Sequence, residues 1–212
     1  MGSSTPKVYL PIGGVPILIR SVRRLARLAD CAEIVLAVHP EDRSQHLDSL
    51  LPELTELGVT KVVDGGSSRQ ESMRRALAAA GQERDLILIH DAARPFFPID
   101  ATRDAIEAAQ ATGAALLATP VPDTLKRISD DHTVEATLDR DGVWLAQTPQ
   151  IIRRDLLEQG LKSGYDGTDD VSLVEQLGGQ VMIVPGSSRN LKITSPSDLE
   201  LAELIANLED QA

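Results

Sequence analysis

The sequence predicts a three-layer α/β/α sandwich on a mostly parallel sheet, one domain over residues 1–212 with a β-arm at about 124–144. Three observations lead there. Short apolar runs alternate regularly with helical segments, which is the order of a layered α/β fold with right-handed crossovers. Leu86–Ile89 is apolar without polar alternation, as suits a strand covered on both faces. Finally, residues 124–144 break the rhythm with an apolar/polar period of two.

The first seven residues are polar loop material, followed by Val8–Ile12 and a Gly13-Gly14 turn. Pro16 suits a first helical turn, and Leu18, Val22, Leu25 and Ala29 recur at helical spacing; Arg20, Arg23, Arg24 and Arg27 fall mostly off that stripe, as a solvated face. Glu33–Val38 reads as a buried strand, Glu41–Leu51 as a helix, and Thr60–Val63 as a strand ending at Asp64-Gly65-Gly66. Ser68 and Glu71 then have the spacing of a capping box, with Met73, Ala76, Leu77 and Ala80 on the buried face of the helix they open. Amides at that helix start can receive an anion or a base edge, and the glycines allow close approach, although a plainly capped helix accounts for the same residues.

At the carboxyl end of Leu86–Ile89 stand His90, Asp91 and Arg94, where open α/β sheets collect their ligands. A carboxylate there can hold a divalent cation or a sugar hydroxyl, and an arginine can fork onto a phosphate or lock the loop. An Asp91–Arg94 ion pair that merely shapes the turn before Pro95 is the competing account. Ala101–Ala111 follows as a helix and Ala114–Ala118 as a strand. In the arm, Val134, Ala136 and Leu138 alternate with Glu135, Thr137 and Asp139, opposite Leu125–Ile128 across a Ser129–His132 turn. A two-stranded ribbon is marginal alone, so a partner is expected, most simply the same arm of a second subunit. Ile152–Leu161 is a predicted helix, and Thr168 caps the next, with Asp169 and Asp170 in its first turn and Gly178 at its end. Gln180–Val184 is the last strand, and Ser195-Pro196 opens a helix with Leu201, Leu204, Ile205 and Leu208 on its apolar side.

Composition narrows the function. With 42% hydrophobic but only 2% aromatic residues, the core is expected to be aliphatic. A net charge of −11 argues against a nucleic-acid surface, and an anionic ligand would need cations gathered locally. Cys31 is the one cysteine, which rules out intramolecular disulfides and a thiolate metal cluster. No apolar stretch approaches the ~20 residues of a membrane span and no signal-like segment opens the chain, so no membrane partner and a cytoplasmic location are expected.

Several segments, in order along nearly the whole chain, resemble the 2-C-methyl-D-erythritol 4-phosphate cytidylyltransferase (IspD) family. They are Pro6–Leu10, Asp64-Gly65-Gly66 with Arg69 and Ser72, His90–Pro95, Pro122–Lys126, Leu138-Asp139-Arg140, Gln147–Gln150, Thr168-Asp169-Asp170 and Asn190–Thr194. Ribitol 5-phosphate cytidylyltransferases are similar too, but Ala93, where that group is expected to carry valine, and the Thr-Asp-Asp motif favour the isoprenoid family. The resemblance implies a Rossmann-like sheet of the nucleotide-diphospho-sugar transferase type, and transfer of CMP from CTP to methylerythritol phosphate with Mg2+ as cofactor. It implies Lys7 and Lys192 as catalytic cations at the α-phosphate, and Gly66, Ser67, Ser72, Asp91 and Ala92 around the nucleotide, with Asp91 also toward the metal. Ser67 replaces an acidic residue of some members. Arg94, Thr124, Arg140, Thr148 and Thr168 match positions around the acceptor phosphate and the loop beside it, and the arm of one subunit completes its neighbour's site in a homodimer.

Members of the family begin with an apolar strand and a glycine-rich loop, and this chain opens at what corresponds to the methionine of that loop. The expectation is therefore a recorded start downstream of the true one, with a gap in the sheet and two unpaired strand edges. A truncated chain that binds CTP poorly, or a catalytically silent dimeric homologue, is the alternative.

Overall fold

A computed structural model describes residues 5–28, 31–165 and 167–211. A 3-10 turn at Lys7–Tyr9 leads into a small antiparallel hairpin, β1 (Pro11–Ile12) and β2 (Val15–Pro16), which turns through Gly13 and Gly14 at φ +55° and +75°. Then come α1 (Ile17–Leu25), β3 (Ile34–Val38), the short α2 (Pro40–Asp42) running into a π-helical turn at Arg43–Leu47, α3 (Leu51–Glu56) and β4 (Val59–Asp64). Next are α4 (Arg69–Ala79), β5 (Leu86–Ile89), α5 (Ile99–Thr112) and β6 (Ala114–Pro120), followed by the arm strands β7 (Leu125–Ile128) and β8 (Val134–Leu138). The chain continues with β9 (Trp144–Arg153), α6 (Arg154–Lys162), α7 (Ser172–Gln176), β10 (Met182–Pro185) and α8 (Pro196–Asp210).

The layers follow from the period-two geometry of strands. Leu86, Leu88, Ala115, Leu117 and Ile151 point to one face, where Ala105 and Ala109 of α5 cover them. Ile87, Ile89, Ala114, Leu116 and Ile152 point to the other, under Met73 and Leu77 of α4, Leu157 and Leu161 of α6, and α7. Full burial of a side chain such as Ile151 or Ile152 stabilises the fold by about 1.5–3 kcal/mol. The core is aliphatic except for Phe96 and Phe97, which are both buried at the end of the β5 loop.

The sheet is mixed and holds one strand that the sequence does not announce. Its order is β10-β6-β9-β5, and β9 runs antiparallel to both neighbours. Gln147-Thr148-Pro149-Gln150 hides this strand, because it lacks an apolar run. Leu116 pairs with Gln150 but Ala118 with Ala146, so β9 bulges at Gln147–Pro149 and leaves the ladder where a proline and polar side chains are tolerated. Ile152 belongs to β9, and the helix expected from that residue begins at Arg154. The expected helix Glu41–Leu51 is also broken, since Pro52 has no amide to extend a helix and instead takes the first turn of α3.

The parallel pair β3–β4 is separate from the four-stranded sheet. Among the described residues β3 pairs only with β4 and β5 only with β9. A cavity of about 690 Å3 lies between them, walled by Leu18, Leu36, Met73, Leu77 and Ile87 and ending at Arg69, Ser72, Asp91 and Ala92.

Two helix faces differ from expectation. Ala202, Ile205 and Ala206 of α8 are buried against Ile12, Phe96 and Ile193, whereas Leu201, Leu204 and Leu208 are exposed; the small alanines let the helix pack closely on that side. Arg20 and Arg24 of α1 are not a free solvated face, since they bind Asp210 and Glu209 of α8. Ala29 of the expected α1 stripe lies outside the described residues. The arm is the expected antiparallel hairpin, turning at Ser129–Thr133 with His132 at φ +64°.

Candidate active site

The apolar strand β5 delivers Asp91 to the head of the cavity, where Arg94 of the same loop and cations from two other segments approach it. Lys192 Nζ lies 2.9 Å from Asp91 Oδ2, Arg69 Nη2 3.5 Å from Oδ1, and Arg94 Nε 3.5 Å from Oδ2. Burial pushes the Asp91 carboxyl pKa upward, but the hydrogen bond and charge of Lys192, with Arg69 and Arg94, outweigh it and hold the group below its usual range. A chain with a net charge of −11 thus concentrates positive charge at one point.

Backbone contacts fix this loop on all sides. Ser21 Oγ donates to the Ala92 carbonyl at 2.7 Å, and Ile193 N–H donates to the Ala93 carbonyl at 2.9 Å, which seats Lys192 beside Asp91. Arg94 donates through Nη1 to the Asn190 carbonyl at 2.8 Å. Both accounts of Arg94 therefore hold in part: it faces Asp91, and it locks the loop to the Lys192 segment. His90 reaches Thr148 Oγ1 through Nδ1 and the Arg94 carbonyl through Nε2, both at 3.0 Å; burial pushes its pKa down to about 4, against the opposing pull of that carbonyl and Asp91. Lys7 occupies the 3-10 turn whose Val8 and Tyr9 pack in the same apolar cluster as Ala92, while Leu10 shares the next cluster with Leu191 and Ile193. The turn carrying Lys7 thus packs into the two apolar clusters that also hold Ala92, Leu191 and Ile193, and among the described residues no hydrogen bond or ion pair joins Lys7 to Asp91.

Arg69, which the sequence placed in a family motif without a role, joins the cluster. Its guanidinium bridges Asp91 and Asp170, with Nη1 2.7 Å from Asp170 Oδ1. Asp170 is buried, and burial pushes its pKa up to about 6 against the charge of Arg69, with Asp91 and Asp169 adding to the rise. Gln150, just after the β9 bulge, accepts from Asp170 N–H and Val171 N–H at 3.0 Å and so sets the position of that carboxylate. Thr168 is exposed and is not the cap of α7; Asp169 Oδ1 accepts the Ser172 N–H instead. An Asp-Asp pair announces a capped turn, but nothing in sequence says which carboxylate turns inward.

The loop from Gly65 to Glu71 opens α4 with the expected cap at Ser68, with one change in the role of Glu71. Gly66 N–H donates to Ser72 Oγ, and Ser68 Oγ caps α4 by accepting from Glu71 N–H. Glu71 does not close a capping box on Ser68; its carboxylate takes Ser67 N–H and Oγ–H. A ligand at this helix start therefore has to replace bonds that Ser67, Glu71 and Ser72 already make. A Cβ on Gly66 would collide with the Cβ and Cγ of Glu71, so only glycine fits under that side chain.

Thr148 is buried in the β9 bulge, and its Oγ1 accepts from Asp91 N–H at 3.0 Å. Thr124 and Arg140 lie elsewhere in this chain. Both are exposed at the arm, where Arg140 binds the Pro122 carbonyl and lines a second cavity of about 380 Å3 with Pro120 and Trp144. Among the described residues no hydrogen bond or ion pair joins Thr124, Arg140 or Thr168 to Asp91. No three His, Cys, Asp or Glu side chains converge among the described residues. A single carboxylate such as Asp91 fits Mg2+ when substrate phosphates and water complete an octahedron, and does not fit a cation held by protein alone.

The 2-C-methyl-D-erythritol 4-phosphate cytidylyltransferase (IspD) family profile matches residues 1–208. A relative of that name from Solibacter usitatus is 41% identical over 96% of this chain and 86% of its own length, and one from Symbiobacterium thermophilum is 39% identical over 100% and 89%. The crystal structure of the Thermus thermophilus cytidylyltransferase of the same name superposes with a TM-score of 0.82 at 34% identity, covering 97% of this chain and 96% of that one.

Proposed function

Because the chain belongs to the 2-C-methyl-D-erythritol 4-phosphate cytidylyltransferase family, we propose that its Asp91 cluster is where CTP and 2-C-methyl-D-erythritol 4-phosphate meet. The protein is a nucleotidyltransferase of isoprenoid biosynthesis that transfers CMP from CTP to this acceptor. An oxygen of the acceptor phosphate forms a bond to the α-phosphorus of CTP. The bond from that phosphorus to the bridging oxygen of the β-phosphate breaks, and pyrophosphate leaves with the electron pair. The nucleophile is already ionised, so the demand on the protein is to bring two anions together and to neutralise charge in flight.

The observation that carries this assignment is the grouping of Lys192, Arg69 and Arg94 on one half-buried carboxylate. Lys192 moves from Asp91 to the α-phosphate, Lys7 approaches from the adjoining turn, and Arg69 stays anchored on Asp170. Gly66, Ser67, Ser72 and Ala92 border the nucleoside, and Thr148 and Thr168 lie toward the acceptor. Asp91 would hold Mg2+ together with triphosphate oxygens, where the ion supplies neutralisation of the leaving pyrophosphate. Thr124 and Arg140 serve a neighbouring subunit through the arm, whose exposed Ile128 and Val134 favour a homodimer. A cytoplasmic location suits these small charged substrates.

Pyrophosphate release from CTP tests the assignment. It is expected with methylerythritol phosphate and not with ribitol 5-phosphate; release with ribitol 5-phosphate alone, or none from folded dimer, contradicts it.

A further inference from the structure

We propose that His90 is a positioning residue: its neutral imidazole, protonated only at Nε2, ties the Asp91–Arg94 turn to the Gln147–Pro149 bulge and thereby aims the Asp91 carboxylate. The proposal deepens the assignment of Asp91 and rests on it for its catalytic consequence. Its structural content does not.

The Nε2 bond has one possible direction, and the Nδ1 bond has one direction in a neutral ring. The Arg94 carbonyl only accepts, so Nε2, 3.0 Å away, carries a hydrogen. Asp91 N–H donates into Thr148 Oγ1 at 3.0 Å, which leaves that hydroxyl's own hydrogen free. The ring packs edge-on against Phe97 at 4.6 Å, and neither of its nitrogens bonds a carboxylate. A neutral ring protonated at Nε2 has a bare Nδ1, and Thr148 Oγ1 donates to it across 3.0 Å. The turn is closed by Arg94 N–H donating to the Asp91 carbonyl at 2.9 Å. His90 therefore spans the turn from outside, with one nitrogen on each wall. Thr148 has already used its proton and one lone pair inside the protein, so it positions Asp91 before it touches any ligand.

The charged groups facing the ring are Asp91 and Arg94, both on its own loop; Phe97 and Thr148 supply its other walls. No proton leaves or enters the ring in this role, which separates it from a general base.

The lock is read on the ligand-free protein by 15N spectroscopy of the imidazoles, with the His90 signals assigned by their loss in His90→Gln. A protonated Nε2 and an unprotonated, hydrogen-bonded Nδ1 are expected; a protonated Nδ1 or an averaged ring overturns the proposal. His90→Asn keeps an acceptor toward Thr148 and loses the donor to Arg94, while His90→Gln keeps the donor and loses the acceptor. Each is expected to lower kcat by roughly 10–100-fold with little change in KM for CTP, because Asp91 is displaced and the nucleotide loop is not. Wild-type kcat in both overturns the positioning role. Should the His90 variants fail to fold, Thr148→Val, nearly isosteric, removes the hydroxyl alone: it should shift the Nδ1 signal and lower kcat by a similar factor, and an unmoved Nδ1 signal overturns the lock. The spectrum is taken without substrate, so it decides the lock even where the acceptor assignment fails.

Discussion

Lys192 Nζ sits 2.9 Å from Asp91 Oδ2, on a carboxylate that Arg69 and Arg94 also approach at 3.5 Å. Before ligand arrives, Asp91 is what allows three cations to share one small volume. On the proposed assignment, a phosphate entering there would compete with Asp91 for Lys192, and the carboxylate oxygen so released would be the one open to a divalent cation.

Asp91→Asn should lower kcat by roughly 100-fold and raise the Mg2+ concentration that gives half-maximal rate. Titrating Mg2+ at saturating CTP checks this. An unchanged Mg2+ dependence would assign the metal to substrate oxygens alone.

Arg69→Met removes the cation from Asp170, which is only 3% exposed. Stripping one partner from a buried pair is severe, but Arg69 is itself 42% exposed and Asp170 can take up a proton, so the loss should be about 2 kcal/mol. Urea unfolding measures it. Adding Asp170→Asn should recover part of the loss, because the neutral amide needs no counter-charge.

The capping box that opens α8 makes stability fall in acid. Asp198 accepts Thr194 N–H, Thr194 Oγ1–H and Ser195 N–H, which lower its pKa to about 2. A carboxylate depressed on folding stabilises the native state fully above its unfolded pKa of about 4 and loses that contribution as pH falls toward 2. Asp198→Asn should therefore flatten the stability profile between about pH 4 and pH 2. An equal slope in both proteins would place the acid sensitivity elsewhere.

The unpaired edge of β5 predicts uneven hydrogen exchange. Arg154 N–H donates to the Asp85 carbonyl, and the register Leu86↔Arg153 then puts Ile87 and Ile89 in hydrogen-bonded pairs with β9. The amides of Leu86 and Leu88 face the cavity instead. They should exchange markedly faster than those of Ile87 and Ile89, and equal protection would mean that another chain segment covers the edge.

Much of this was legible in the sequence, for physical reasons that differ by residue. Leu86–Ile89 followed by His90 and Asp91 announces a covered strand ending in a site, because burial on both faces leaves no room for alternation. The arm announces itself because one face of a ribbon must be apolar. β9 was not legible, since its bulge lets Gln147, Thr148 and Pro149 leave the ladder that normally excludes them. The Arg69–Asp170 bridge was not legible either: it joins residues about 100 positions apart, and local spacing holds no record of that contact. The leucines of α8 misled, because periodicity marks a face without saying which of two faces the alanines will take inward.

On the proposed assignment, Lys192 acts on the α-phosphate in the transition state and contributes little to holding CTP in the ground state. Lys192→Ala, with kcat and CTP affinity measured separately on the folded protein, tests it most directly. A kcat lowered by roughly 100-fold or more with CTP affinity changed only a few-fold is the predicted result. Equal losses in both, or an unaffected kcat, would contradict it.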